Sequence, residues 1–245
     1  MFENKESLAV NFADDFIFLC SELLIRKEFV NVALSGGNTP KLFFEKLLYK
    51  RSEFKDWDRL RFFWVDERCV PANDTESNYG EAKRILFDRM KSESNVDLIP
   101  GENIFRIKGE NDPAEEADRY AEVLMKELPV ENAFPAIDLI LLGIGDDGHT
   151  ASIFPGMLEL MDSDKYCAAV KHPVTGQDRV TLTGKVINDS KNIFFLVSGK
   201  DKAETISQIL NEFGEYEKYP AYYIKPVDGE KFYYLDKDAA EFLQN

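Results

Sequence analysis

Four short apolar runs, at residues 29–34, 60–65, 137–142 and 192–197, do most to limit what this chain can become. Each has the length of a strand, and stretches with helical periodicity lie around them. Residues 5–27 place Leu8, Phe12, Phe16, Leu19 and Leu23 on one helical face. Thr39 as N-cap and Pro40 at the first helical position predict a helix through Tyr49. Ser77-Asn78-Tyr79 opens another that reaches about Met90, and Asp112-Pro113 opens a third that runs to about Leu128. A further helix is expected from about Lys202 to Phe213, and a short one from Asp236. Lesser strands are expected at 104–107, on a sheet edge, and at 180–183, 221–224 and 232–235, with the rest of 92–111 as loop. Strands alternating with amphipathic helices predict an α/β fold around a mainly parallel sheet. No low-complexity linker, internal repeat or sharp shift of composition divides the chain, so residues 1–245 are expected to form a single domain.

Composition excludes several function classes. With 44% hydrophobic and 31% charged residues, the chain reads as neither disordered nor membrane-embedded. No apolar run approaches the about 18 residues that a spanning helix needs. The start, Met1-Phe2-Glu3-Asn4-Lys5-Glu6, lacks the basic and small-residue features of a secretory signal. Cys20, Cys69 and Cys167 are too few and too scattered for a disulfide framework or a zinc knuckle. A reducing cytoplasmic setting is expected, in which the sequons at Asn73 and Asn188 carry no meaning. A formal charge of −15 argues against a nucleic-acid partner. An anionic substrate would need a local positive site against this global field.

The chemistry is concentrated where the four runs end. In open parallel sheets, ligands bind beyond the carboxyl ends of the strands. Here those ends carry Ser35-Gly36-Gly37, Asp66-Glu67-Arg68, the run from Gly143 to His149, and Ser198-Gly199-Lys200. The first continues through Asn38, Thr39 and Pro40 into a helix. Its glycines let backbone amides approach an anion, and the helix start adds its dipole and unpaired N–H groups. It is not a Walker loop, which needs a lysine after its last glycine. Residues 143–148 match the dinucleotide fingerprint letter for letter, yet Asp146 and Asp147 would face a pyrophosphate, and Pro155-Gly156 interrupts a long helix. That reading is rejected.

His149 is one of only two histidines. As base, metal ligand or structural group it stays open on the residues alone. Asp147 beside it suits an imidazole held in one tautomer, and a second histidine or cysteine at ligand spacing is missing. His172 has no such company and reads as structural. Ser152 lies outside a nucleophile-elbow pattern, Ser35 has no base in its motif, and Cys69 reads as a packing residue despite Arg68 beside it. Arg68, Arg179, Lys200 and Lys202 are the cationic candidates.

Together, Ser35-Gly36-Gly37-Asn38-Thr39-Pro40, Asp66-Glu67-Arg68-Cys69-Val70-Pro71 with Ser77-Asn78-Tyr79, and the stretch from Gly143 to Gly156 resemble the 6-phosphogluconolactonase family. Arg179-Val180-Thr181-Leu182-Thr183, Gly199-Lys200-Asp201-Lys202-Ala203 and Leu235-Asp236-Lys237-Asp238-Ala239-Ala240 extend the match from about residue 30 onward, in the family's order. The resemblance implies a three-layer α/β/α fold shared with sugar-phosphate isomerases. It implies hydrolysis of 6-phospho-D-glucono-1,5-lactone to 6-phosphogluconate, the second step of the pentose phosphate pathway, with no cofactor and no metal. His149 is then the general base and Asp147 its orienter. Arg68, or backbone amides of Gly36 and Gly37, would meet the oxyanion, and Arg179 and Lys202 would bind phosphate. Ser35, Gly36, Gly37, Asn38, Thr39, Asp66 and Gly145 complete the expected substrate contacts. The partner is a small sugar phosphate, with no nucleic acid or membrane, and the protein is expected as a monomer or small homo-oligomer. Asn38 departs from the usual serine, and its amide can still bond a phosphate.

Glucosamine-6-phosphate deaminases share the acidic pair and the aspartate-glycine-histidine loop. Their loop typically continues with isoleucine-alanine-phenylalanine-asparagine-glutamate, and tyrosine follows their acidic pair. Thr150-Ala151-Ser152-Ile153-Phe154-Pro155-Gly156 and Arg68 stand at those places here. An isomerase or deaminase, and a non-catalytic sugar-phosphate sensor, are the competing readings.

Overall fold

The computed structural model describes residues 1–243. In chain order the main elements are α1 (Lys5–Leu24), β1 (Val30–Leu34), α2 (Asn38–Tyr49), β2 (Leu60–Trp64), β3 (Asp66–Arg68), α3 (Asn78–Ile85), β4 (Ile104–Phe105) and α4 (Pro113–Glu127). There follow β5 (Val130–Glu131), β6 (Phe134–Pro135), β7 (Leu139–Leu142), β8 (Cys167–Lys171), β9 (Asp178–Leu182), α5 (Gly184–Asn188), β10 (Asn192–Val197), α6 (Ala203–Asn211) and β11 (Glu230–Leu235).

The central sheet has six strands in the order β11-β10-β7-β1-β2-β4, and every pair is parallel. All residues of β1 and β7 are buried, as parallel strands require when both faces are covered. Alternating side chains show the two layers. Phe194 meets Phe12 of α1 at 5.2 Å between ring centroids, whereas its neighbour Phe195 stacks on Tyr233 at 5.0 Å. Phe12, Phe16 and Phe43 then knit α1 to α2 above the sheet. Each such ring, fully removed from water, contributes about 1.5–3 kcal/mol. Among the described residues, no helix is long and apolar enough to cross a membrane.

Strand order reverses at β1, which lies between β7 and β2. Leu34 pairs with Trp64, and Val32 and Ala33 with Leu139 and Ile140, so the loops after these strands leave the sheet side by side. A crevice at such a switch point is where ligands enter this architecture.

Several local expectations are corrected. The helix over 5–27 ends at Leu24, and its buried stripe runs on through Cys20 and Leu24, with Leu19 and Leu23 half-buried against the core beside it. Thr39 is not an N-cap: α2 starts at Asn38 behind Gly37, whose φ of 110° needs no side chain. The helix after Ser77 stops at Ile85 and passes into a single 3₁₀ turn, Phe87–Arg89. Asp66-Glu67-Arg68 is a strand, not a loop, and it joins β9 and the unanticipated β8 in a separate antiparallel sheet of order β3-β9-β8. Of the stretch 221–224, residues 221–223 lie in a 3₁₀ turn, Pro220–Tyr223, with Pro220 at its first position and Ile224 as its C-cap. Residues 237–242 form turns rather than a helix.

Candidate active site

The four segments that follow the core strands converge on one cleft of about 640 Å³. Ser35, Gly36, Gly37, Asn38, Thr39, Asp66, Arg68, Gly145, His149, Arg179 and Lys202 all line it. Asp147 does not line the cleft but stands behind the imidazole, its Oδ1 2.6 Å from His149 Nδ1. Lys200 turns away to Glu241 at 2.8 Å.

The turn carrying His149 is tightly closed. The Gly145 amide donates to the His149 carbonyl at 2.9 Å, and the Gly148 amide to the Gly145 carbonyl at 3.0 Å. A Cβ at Gly145 would sit 2.1 Å from His149 Nδ1, so only glycine admits the imidazole there. With Nδ1 against a carboxylate, Nε2 is the nitrogen left for the cleft. Partial burial pushes the Asp147 carboxyl up. The hydrogen bond and charge of His149 outweigh it and hold the group below its ordinary range.

Phe154 is fully buried and lies against both imidazoles, at 4.8 Å from His149 and 4.8 Å from His172. His172 Nδ1 accepts the Val174 and Thr175 amides, which makes it the organiser of the β8–β9 turn. Burial, with the Arg179 charge, holds it below the usual imidazole value.

Two arginines stand side by side. Arg68 on β3 and Arg179 on β9 are direct cross-strand partners. Arg68 is held by the Glu76 carbonyl at 2.5 Å, and Arg179 by Ser152 Oγ at 3.3 Å and the Phe154 face at 5.6 Å. Among the described residues no carboxylate lies within ion-pairing distance of either, and both Nε atoms are buried without a partner. Burial and the neighbouring Arg68 charge lower Arg179 against the pull of Asp66, yet a guanidinium stays charged. Two like charges placed side by side and partly desolvated are a setting that favours an anion.

Asp66 is buried. Its Oδ2 accepts Ser152 Oγ at 2.6 Å, and its backbone carbonyl accepts Asn78 Nδ2 at 2.9 Å. Glu67 is spent on structure: it accepts the amides of Arg68, Asn78 and Tyr79 and the Ser77 hydroxyl, at 2.7–2.9 Å. Burial pushes its carboxyl up against those bonds. Burial and surrounding carboxylates push the Cys69 thiol up to about 11, so Arg68 does not activate it.

On the opposite wall, the Ser35 hydroxyl is committed to the Leu141 carbonyl at 2.6 Å. Gly36 lies flush on Asn78, where a Cβ would meet Oδ1 at 1.8 Å. No side chain caps α2, whose first residues Asn38 and Thr39 line the cleft, and Thr39 Oγ1 bonds Ser198 Oγ at 2.9 Å. Lys202 pairs with Asp201 at 3.0 Å and reaches Asp146 at 4.0 Å.

Ser198 lines the cleft, as expected of the segment after the fourth strand, but sequence reasoning missed Asn78 as a lining group, and Asn4, Lys5 and Glu6 at the start of α1. The last three arrive because Phe2 bridges Leu235 and Lys237 through backbone bonds of 2.8 and 2.9 Å. No local signal marks that pairing.

Residues 3–233 match the family described as glucosamine-6-phosphate isomerases/6-phosphogluconolactonase. A 6-phosphogluconolactonase of Haemophilus influenzae is 42% identical, over 87% of this chain and 88% of its own. That of Treponema pallidum is 37% identical, over 86% and 83%. Among solved structures, a 6-phosphogluconolactonase from Trypanosoma cruzi superposes with a TM-score of 0.87 at 27% identity, covering 100% of this chain and 96% of that one. A monomeric glucosamine-6-phosphate deaminase, 21% identical with a TM-score of 0.77, covers 98% of this chain and 97% of its own and shares the fold. The chain belongs to the glucosamine-6-phosphate isomerase/6-phosphogluconolactonase family.

Proposed function

We propose that the chain hydrolyses 6-phospho-D-glucono-1,5-lactone to 6-phosphogluconate, working as one domain. The observation that carries this reading is an aspartate-backed imidazole in the same cleft as two arginines that have no carboxylate partner among the described residues. Relatives named for this activity, aligned over most of both chains, support it.

In this mechanism His149 Nε2 takes a proton from water as the water oxygen attacks the lactone carbonyl. Asp147 holds the Nδ1–H and stabilises the imidazolium that forms. Charge grows on the former carbonyl oxygen, where Arg68 or the amides at Gly36 and Gly37 supply the donors. Collapse breaks the bond from carbonyl carbon to ring oxygen, and the imidazolium returns the proton to that leaving oxygen. Arg179, Lys202 and the open amides of α2 hold the phosphate, the arginine bidentately and the lysine as a point charge.

The test generates lactone from glucose 6-phosphate with its dehydrogenase and follows hydrolysis above the spontaneous rate. The wild-type chain is expected to accelerate it, and His149→Ala to lose about 10²–10⁴-fold in kcat. No acceleration by the wild type would sink the reading, as would ammonia release from glucosamine 6-phosphate as the main activity.

A further inference from the structure

The turn that carries Asp147 and His149 is supported from beneath by residues far along the chain. A Cβ at Gly148 would lie 2.3, 2.4 and 2.6 Å from Cδ1, Cγ and Cβ of Tyr219, so the glycine backbone rests flush on that side chain. The Ala221 amide, two residues on, donates to the Gly148 carbonyl at 3.1 Å. Tyr219 is itself buried, and its hydroxyl bonds Gln208 Oε1 of α6 at 3.2 Å. That same oxygen accepts the Glu215 amide at 3.0 Å, which fixes the amide side chain. A second support from α6 runs from Thr205 Oγ1 to the Asp146 carbonyl at 2.7 Å.

The turn is therefore clamped between two surfaces. Above it, the imidazole and the Asp147 carboxylate crowd the bare face of Gly145. Below it, Gly148 at φ +77° meets an aromatic floor. A glycine in that region has wide conformational freedom, and the bond from its amide to the Gly145 carbonyl restrains it from within the turn. Tyr219 adds a restraint from outside.

We propose that Tyr219 is a positioning residue for the reaction: its ring sets Gly148, and through Gly148 the aim of the His149–Asp147 pair at the cleft. The role in catalysis rests on the lactonase reading of His149. The ring carries the effect. The hydroxyl only anchors it, so phenylalanine is expected to serve. A flexible aliphatic side chain lets the turn settle, and small misplacements of a base are costly in rate.

The experiment compares wild type, Tyr219→Phe, Tyr219→Leu and Leu24→Ala, the last a core change in α1 away from the cleft. Each is measured for kcat and KM on the lactone, for thermal unfolding, and for the low-field proton resonance of the His149 Nδ1–H, assigned by its loss in His149→Gln. Tyr219→Leu is expected to lose about 10–100-fold in kcat with KM within twofold, and to lose or broaden the resonance. Tyr219→Phe is expected to keep both, and Leu24→Ala to unfold at lower temperature with kcat unchanged. Tyr219→Met carries the same expectation as leucine and serves if the latter does not fold. A folded leucine or methionine variant with wild-type kcat and an intact resonance overturns the proposal. So does an equal kcat loss in Leu24→Ala. A wild-type chain inert toward the lactone would overturn the reaction, and the resonance would still decide whether the ring holds the pair.

Discussion

At the scale of single residues, the decisive contact is 2.6 Å long and two positions apart in sequence. Asp147 keeps His149 in one orientation, and the imidazole in return holds the carboxyl below its ordinary range despite partial burial. Asp147→Asn keeps the shape and removes the charge. It is expected to lower kcat by about 10²-fold or more with little change in KM, measured on the same lactone assay. An unchanged kcat would remove Asp147 from the mechanism. The pH sign follows from the lowered carboxyl. Its contact stabilises the fold above the ordinary carboxylate pKa and is lost as pH falls through the lowered one. In acid unfolding, the asparagine variant should therefore lack that part of the loss. Asp147 and His149 were legible as a pair because their spacing is local. The arginine pair was not, since Arg68 and Arg179 are 111 positions apart and meet only through strand register.

Elements decide how close the backbone can come to a ligand. The two glycines after β1 act differently. Gly37 needs its positive φ, and a Cβ there would meet nothing nearer than Pro40 Cδ at 3.9 Å. Gly37→Ala is thus expected to cost only the conformational strain, about 1–2 kcal/mol. Gly36 has no such backbone demand, but its Cβ would displace Asn78 from the Asp66 carbonyl. Gly36→Ala is expected to cost about 1–3 kcal/mol and to raise KM as well, read by urea unfolding and steady-state kinetics. A Gly36→Ala chain as stable as wild type would show that Asn78 yields freely. Periodicity and caps made the long elements readable: Ser77 and Asp112 cap where expected. Short ones escaped. Three charged residues, Asp66 to Arg68, carry no strand signal, and only pairing with β9 makes them one. The tyrosine-rich stretch at 221–224 has strand-like residues, but 221–223 lie in a 3₁₀ turn.

For the whole molecule, charge and topology pull in different directions. A net charge of −15 repels an anionic sugar phosphate at long range, while in the proposed reading the arginine pair would attract it within the cleft. Screening lengths fall from about 30 Å at 0.01 M salt to about 8 Å at 0.15 M. Added salt in that range should weaken the distant repulsion more than the contacts at the site, so kcat/KM is expected to rise. A fall would show that the local positive field already governs encounter.

The sequence by itself determined the alternation of strand and helix, the parallel sheet, and the four polar segments at its carboxyl ends. These rest on periodicity and capping, which act over a few residues. Only the tertiary structure decided which loops face one another, that Arg68 and Arg179 stand side by side, and that Tyr219 underlies Gly148. Such contacts join residues from 71 to 159 positions apart, as in Tyr219–Gly148 and Thr39–Ser198. They depend on strand order and register, which a local pattern does not contain.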